Sequence, residues 1–195
     1  LGDDTVDVSV WRAEGSDVGE YEISYELSAH DNYTLGSSTV GVYTIVKANS
    51  SIQLNDDECV YDGLPHYITT NAFDGITYVY KLNGFVVDEM VNAGEYSVQA
   101  VFAGNNNYNG CKSNVAKLTI HKQSVHITLG NNEFVYDGEA KFPVYYYDKN
   151  TGILESSIVY EFENNITPTD EGEYNFRVYI HDDNFEGSAS GVIKI

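Results

Sequence analysis

The sequence predicts an all-β protein made of tandem β-sandwich repeats of about 75 residues, arranged head to tail. Two observations carry that prediction. The first is recurrence. Gly19-Glu20-Tyr21, Gly94-Glu95-Tyr96 and Gly172-Glu173-Tyr174 follow one another at nearly equal intervals. Tyr61-Asp62-Gly63 returns one period later as Tyr136-Asp137-Gly138, and Tyr43-Thr44-Ile45 is echoed by Leu118-Thr119-Ile120 and Ile193-Lys194-Ile195. A fixed period of this length means tandem copies of one folded unit. The second is the texture within a period. Short alternating segments are separated by turn signals every 8–12 residues or so, and none holds a 3.6-residue period. Helices should therefore be minor. The chain reads as a partial repeat over residues 1–46, followed by full repeats over 47–121 and 122–195.

The second copy shows the elements most clearly. Ser51 to Leu54 predicts a short strand, and Cys59-Val60-Tyr61 a second that ends at the turn dipeptide Asp62-Gly63. Tyr67 to Ala72 is β-rich. Thr77 to Leu82 alternates and stops at Asn83-Gly84, a hairpin signal. Gly94 precedes a period-two run from Tyr96 to Phe102. The Asn/Gly-rich stretch Gly104 to Gly110 predicts a loop, and Val115 to Ile120 the closing strand.

In the partial copy the strands Thr5 to Val10, around Tyr21, and Val42 to Val46 are present, but the Tyr-Asp-Gly half is missing. The expectation is a chain cut through a repeat, the alternative being completion by another segment or chain. Ile45-Val46-Lys47 leads within a few residues into Ser51, and Ile120-His121-Lys122 into His126, with no Pro-, Gly- or Ser-rich linker. Connections of about five residues leave little freedom. Neighbouring repeats of the same chain are thus the first expected partners, stacked as a semi-rigid rod.

Acidic residues outnumber basic ones 30 to 10, for a net charge of −20. Such a field repels nucleic acid and anionic membranes. No run approaches the roughly 20 apolar residues of a membrane span, so membrane insertion is not expected. Carboxylates cluster at Asp3-Asp4, Asp56-Asp57-Glu58, Asp88-Glu89, Asp170-Glu171 and Asp182-Asp183, none with EF-hand spacing. Adventitious calcium is compatible with them; a dedicated cofactor is not expected. The two cysteines, Cys59 and Cys111, both fall in the second copy, opposite Phe134 and Ser188 of the third. Either they form a disulfide or both are buried or idle thiols.

Catalytic signatures are weak. His30, His66, His121, His126 and His181 lack metal-ligand spacing. Gly187-Ser188-Ala189-Ser190-Gly191 has Ala where a nucleophile elbow has Ser. No phosphate-binding glycine motif is present, and no acid pair matches between copies. An enzyme is not expected. The run Tyr145-Tyr146-Tyr147 reads first as strand filling, with a sugar-stacking platform as the alternative. The loops Asn105 to Asn109 and Asp182 to Phe185 lie where sandwiches cluster recognition loops. A ligand site, if one exists, is expected at these loops or at the joints.

The recurrent core narrows the sandwich. Asp17 to Ile23 and Asp170 to Phe176 follow D-x-G-x-Y-x-Φ, and Asn92 to Val98 is the same with Asn first. This resembles the tyrosine corner of Ig-like domains. Tyr21, Tyr96 and Tyr174 are the corner candidates, with Ile23, Val98 and Phe176 as core residues. The glycine is expected to permit close backbone approach. The order Val60-Tyr61-Asp62-Gly63, Asn92 to Val98, Asn106-Asn107-Tyr108-Asn109-Gly110, Leu118-Thr119-Ile120 resembles the bacterial Ig-like repeats called MBG or YDG domains. The third copy carries it through Val135 to Gly138, Glu171 to Tyr174, Asp183 to Gly187 and Ile193 to Ile195, with Phe185 in place of Tyr. The resemblance implies a non-catalytic spacer segment of an extracellular, secreted or cell-surface-attached, adhesin-like protein. The alternatives are a module that binds carbohydrate or a host surface protein, and an accessory module of a larger secreted enzyme.

Overall fold

The computed structural model describes residues 6–28, 31–34, 36 and 41–195. The readings at Asp3-Asp4, Thr5 and His30 lie outside the described residues. In chain order the strands are β1 (Val8–Arg12), β2 (Gly19–Leu27), β3 (Val42–Ile45), β4 (Asp57–Val60), β5 (Ile76–Leu82), β6 (Phe85–Val87), β7 (Gly94–Gly104) and β8 (Asn109–His121). The third repeat supplies β9 (Gln123–Ser124), β10 (Ile127–Leu129), β11 (Tyr145–Tyr147), β12 (Ile158–Phe162), β13 (Glu173–Ile180), β14 (Phe185–Glu186) and β15 (Ser188–Lys194). The described helical residues fall in short 3-10 turns at Lys149–Thr151, Glu155–Ser157 and Glu163–Asn165.

One strand order serves all three copies. The sheets run β1-β2-β3, β4-β8-β7-β5-β6 and β12-β13-β15. In each, the tyrosine-bearing strand is central and the closing strand flanks it. A parallel partner for the closing strand also recurs. Glu58 lies opposite Thr119 in the β4–β8 pair, and one period on Glu133 bridges Lys194 in the same sense. Period-two sequence explains the central strands. Along β7, Tyr96, Val98, Ala100 and Phe102 are buried while their neighbours are not, and Phe176 and Val178 do the same in β13.

By its internal contacts the chain divides into two compact units: residues 1–53, 71–78 and 100–114, and residues 54–70, 79–99 and 115–195. The first holds the antiparallel β1-β2-β3 sheet, in which Trp11 faces Ser24 and Gly19 faces Ile45. Here Phe73 stacks on Phe102 with ring centroids 4.5 Å apart, and Tyr108 tilts against Phe73 at 5.5 Å.

The second unit contains the sandwich of the third repeat. Its core is Val125, Ile127, Ile153, Ile158, Phe176, Val178, Phe185 and Ile193. Tyr145 and Tyr147 lean on that core from β11, whereas Tyr146, on the opposite face of the strand, is 62% exposed. Strand filling thus accounts for two of the three rings. The hairpin between β5 and β6 turns at Asn83-Gly84, both with positive φ (51° and 86°), which a β-branched residue would resist.

Two sequence expectations are corrected, and of the two alternatives for the cysteines the structure has the free thiols. Ser51 to Leu54 is not a strand, although it alternates as one, with Ile52 and Leu54 buried and Ser51 and Gln53 exposed. Tyr67 to Ala72 also lies outside the strands; its Ile68 carbonyl accepts the Tyr80 hydroxyl at 2.7 Å. Cys59 and Cys111 are free thiols rather than a disulfide. Cys59 sits opposite Ile120 on β8. Cys111 lies nine residues before Ile120 along β8. Burial, and then the charges of Asp57 and Asp62, push the Cys59 thiol up, so it stays protonated and weakly nucleophilic.

Candidate functional site at the repeat joint

The three motif tyrosines make one and the same bond. Tyr21, Tyr96 and Tyr174 each donate the hydroxyl to the backbone carbonyl four residues upstream: Asp17 at 2.6 Å, Asn92 at 2.7 Å and Asp170 at 3.1 Å. That is the geometry of a tyrosine corner. At Gly19 and Gly94 the glycine is not needed for clearance from the ring, whereas a Cβ at Gly172 would come to 3.4 Å from the Tyr174 ring. A Cβ at Gly19 or Gly94 would meet the tyrosine ring no closer than 3.8 and 3.7 Å, an ordinary van der Waals contact.

The first residue of the motif does a second job through its side chain. In the first unit, Asn107 of the second repeat accepts the Val18 N–H at 2.9 Å with Oδ1 and donates Nδ2 to the Asp17 carboxylate at 2.7 Å. In the second unit, Asn184 of the third repeat accepts the Ala93 N–H at 2.8 Å and donates to Asn92 Oδ1 at 3.1 Å. A side-chain amide is well suited because it offers a donor and an acceptor side by side. Asp17 only accepts and the Val18 N–H only donates, so the orientation of the Asn107 amide is fixed by its partners.

The loop that presents this asparagine is braced alike at both joints. Asn105 Oδ1 accepts the N–H groups of Asn107 and Tyr108, and Asp182 Oδ1 those of Asn184 and Phe185. These side chains hold the loop as an Asx turn. The connecting segment closes it from below. Lys47 and Lys122 donate to the carbonyls of Asn105 and Asp182 at 2.8 and 2.6 Å. The N–H groups of Ala48 and Gln123 reach the carbonyls of Asn107 and Asn184. The loop ends in Gly110 and Gly187, where a Cβ would run into the backbone carbonyls of Ala103 and Val125. At the second joint Tyr61 completes the contact, edge-on to Phe185 with centroids 5.4 Å apart.

The loops Asn105 to Asn109 and Asp182 to Phe185 thus reach the preceding repeat through Asn107 and Asn184. Sequence reasoning missed the roles of Asn107 and Asn184. A signal existed: the step from Asn107 to Asn184 equals the step from Gly110 to Gly187. Among the described residues no three His, Cys, Asp or Glu side chains converge as a metal site requires. Of the clustered carboxylates, Asp56 accepts the N–H of Lys117, far along the chain, and Asp57 that of the adjacent Glu58.

The aspartates of the two Tyr-Asp-Gly turns are built alike. Asp62 accepts the Leu64 N–H at 2.8 Å and faces His66 Nε2 at 2.9 Å. Asp137 accepts the Glu139 N–H at 2.9 Å and faces the Lys141 ammonium. The Leu64 N–H, then His66, holds the Asp62 carboxyl below its usual range, and Lys141, then the Glu139 N–H, does so for Asp137. A carboxyl depressed in the folded state stabilises above the unfolded pKa of about 3.9 and loses that contribution as pH falls through the folded value. Thermal unfolding between pH 7 and 2 should show the midpoint falling below about pH 4, with a shallower fall in the Asp62→Asn, Asp137→Asn double variant. Equal slopes for the two proteins would contradict this.

The strand order, the corner and the twice-built joint define a tandem array of Ig-like β-sandwich modules. The family model described as MBG domain matches residues 50–124 and again 125–195, and the chain belongs to that family. No curated protein matches the chain. Among solved structures it is similar to "Sidekick-1 immunoglobulin domains 1-4", at 11% identity and a TM-score of 0.24, over 100% of this chain and 67% of that one.

Proposed function

We propose that this chain is a non-catalytic structural segment of an extracellular bacterial surface or adhesin-like protein, its modules serving to set the spacing of whatever they connect. The observation that carries the reading is the joint. The same amide staple, lysine cap and braced loop are built at both junctions, once at Asn107 and again one repeat later at Asn184. A chain that spends its loop tips on its own neighbours is organised for connection. The net charge of −20 fits a surface location, where like charge keeps neighbouring chains apart. Localisation outside the cell and the absence of catalysis are parts of this proposal.

Exposed rings favour one second reading, a carbohydrate- or host-protein-binding face. Tyr146 stands out from β11, and Tyr160, tilted against Phe142 at 5.9 Å, is partly open to solvent. Glycan-array and pull-down screens on the full chain distinguish the two. The spacer reading expects no saturable binding up to millimolar ligand. Saturable binding that is lost in Tyr146→Ala or Tyr160→Ala overturns it.

A further inference from the structure

We infer that the end of the third repeat, around Tyr136, Asp170 and Glu171, is a docking face for a following sandwich module that carries the same Asn-aromatic loop. The face repeats the corner and its opening Asp or Asn that are occupied at both joints, and the tyrosine that is occupied at the second. Asp170 stands where Asp17 and Asn92 stand, and the Tyr174 hydroxyl on its carbonyl holds its backbone as Tyr21 and Tyr96 hold theirs. The next residue, Glu171, need supply only a backbone N–H, as Val18 and Ala93 do. Tyr136 is the counterpart of Tyr61, one period on. Tyr61 is partly buried against Phe185, whereas Tyr136 is 60% exposed and its neighbour Val135 is 87% exposed. Between these residues and Ile195 lies a concavity of about 470 Å³.

The chemistry selects the occupant. Asp170 offers a carboxylate that only accepts, and Glu171 a backbone N–H that only donates. A primary amide answers both at once, as Asn107 does against Asp17 and Val18. An anion would meet the Asp170 charge, and a lone cation would leave the Glu171 N–H unmatched. The adjoining Tyr136 calls for an aromatic residue directly after the asparagine, which is the order in Asn107-Tyr108 and Asn184-Phe185. The inference concerns this face alone and stands whether the modules serve as spacers or as binding domains.

The test extends the full chain. A second copy of residues 121–195 is placed directly after Ile195, which puts it in the register that Ile120 gives the third repeat. A second fusion carries residues 46–120 instead, so that folding of one insert does not decide the outcome. Hydrogen exchange at the Glu171 amide is read by NMR in the natural chain and in both fusions. Docking slows that exchange at least tenfold in a fusion, and Asn184→Ala made only in the appended 121–195 copy restores the rate. Unchanged exchange in both fusions overturns the inference, as does protection that survives the appended Asn→Ala change. Protection in the unfused chain that rises with its concentration identifies a second copy as the occupant and overturns assignment to a following module.

Discussion

Tyr96→Ala is expected to lower the unfolding free energy by about 3–5 kcal/mol, and Tyr96→Phe by about 1–2 kcal/mol. The ring is 2% exposed, at the start of the alternating core of β7, and burial pushes its hydroxyl above the ordinary tyrosine range, so it remains a donor. Alanine removes the buried ring and leaves a cavity. Phenylalanine keeps the packing and loses only the partly buried 2.7 Å bond to the Asn92 carbonyl. Tyr174→Phe should cost less than about 1 kcal/mol, because its half-buried hydroxyl sits where water can replace it. Urea denaturation of the full chain and the three variants measures the order. Equal losses for Tyr96→Phe and Tyr174→Phe would show that burial does not set the strength of the corner bond.

The second large effect is expected at the joint. Asn107→Asp should be more damaging at pH 7 than Asn184→Asp, by about 1 kcal/mol, and should recover as the solution is acidified. Aspartate still accepts the neighbouring N–H but no longer donates. Opposite residue 107 that puts carboxylate against carboxylate, at a position where donor and acceptor now stand 2.7 Å apart. Repulsion between two such groups raises one pKa, and below it a shared proton restores the donor. Opposite residue 184 the partner is the amide of Asn92, which can turn its nitrogen toward the new carboxylate. Amide exchange at Val18 and Ala93, followed by NMR from pH 7 to pH 4, reads each joint directly. Similar exchange rates for the two variants at pH 7 would sink this account of the staple.

Much of the fold was legible because its determinants are local. Alternation from Tyr96 to Phe102 names a strand and its buried face, and Asn83-Gly84 names a turn whose backbone only a few residues tolerate. The tyrosine corner could be read because donor and acceptor are four residues apart and the pattern comes three times. Alternation misled at Ser51 to Leu54, where Ile52 and Leu54 are buried but lie outside the strands. The disulfide was left open for a related reason. Cysteines near the start and end of a sandwich repeat can be neighbours, and only the β4–β8 register shows Cys59 opposite Ile120 instead of Cys111.

The joint was the least legible part. Asn107 lies in an asparagine-rich loop, where the residue type already has a sufficient local explanation as a turn former. Its partners at Asp17 and Val18 belong to the preceding repeat, more than a period back along the chain, and so do those of Asn184. No short window contains both halves of the staple.

The sequence by itself determined the repeat, its period, the central strand of each sheet and the tyrosine that anchors it, because backbone preference and period-two burial act over a few residues. Only the tertiary structure decided what the Asp or Asn that opens each motif is for. Its carbonyl serves the corner within its own repeat, while its side chain at Asp17 and Asn92 serves the next repeat. That second role depends on which loop the fold brings alongside, and hydrogen bonds between groups so distant along the chain leave no local pattern to read.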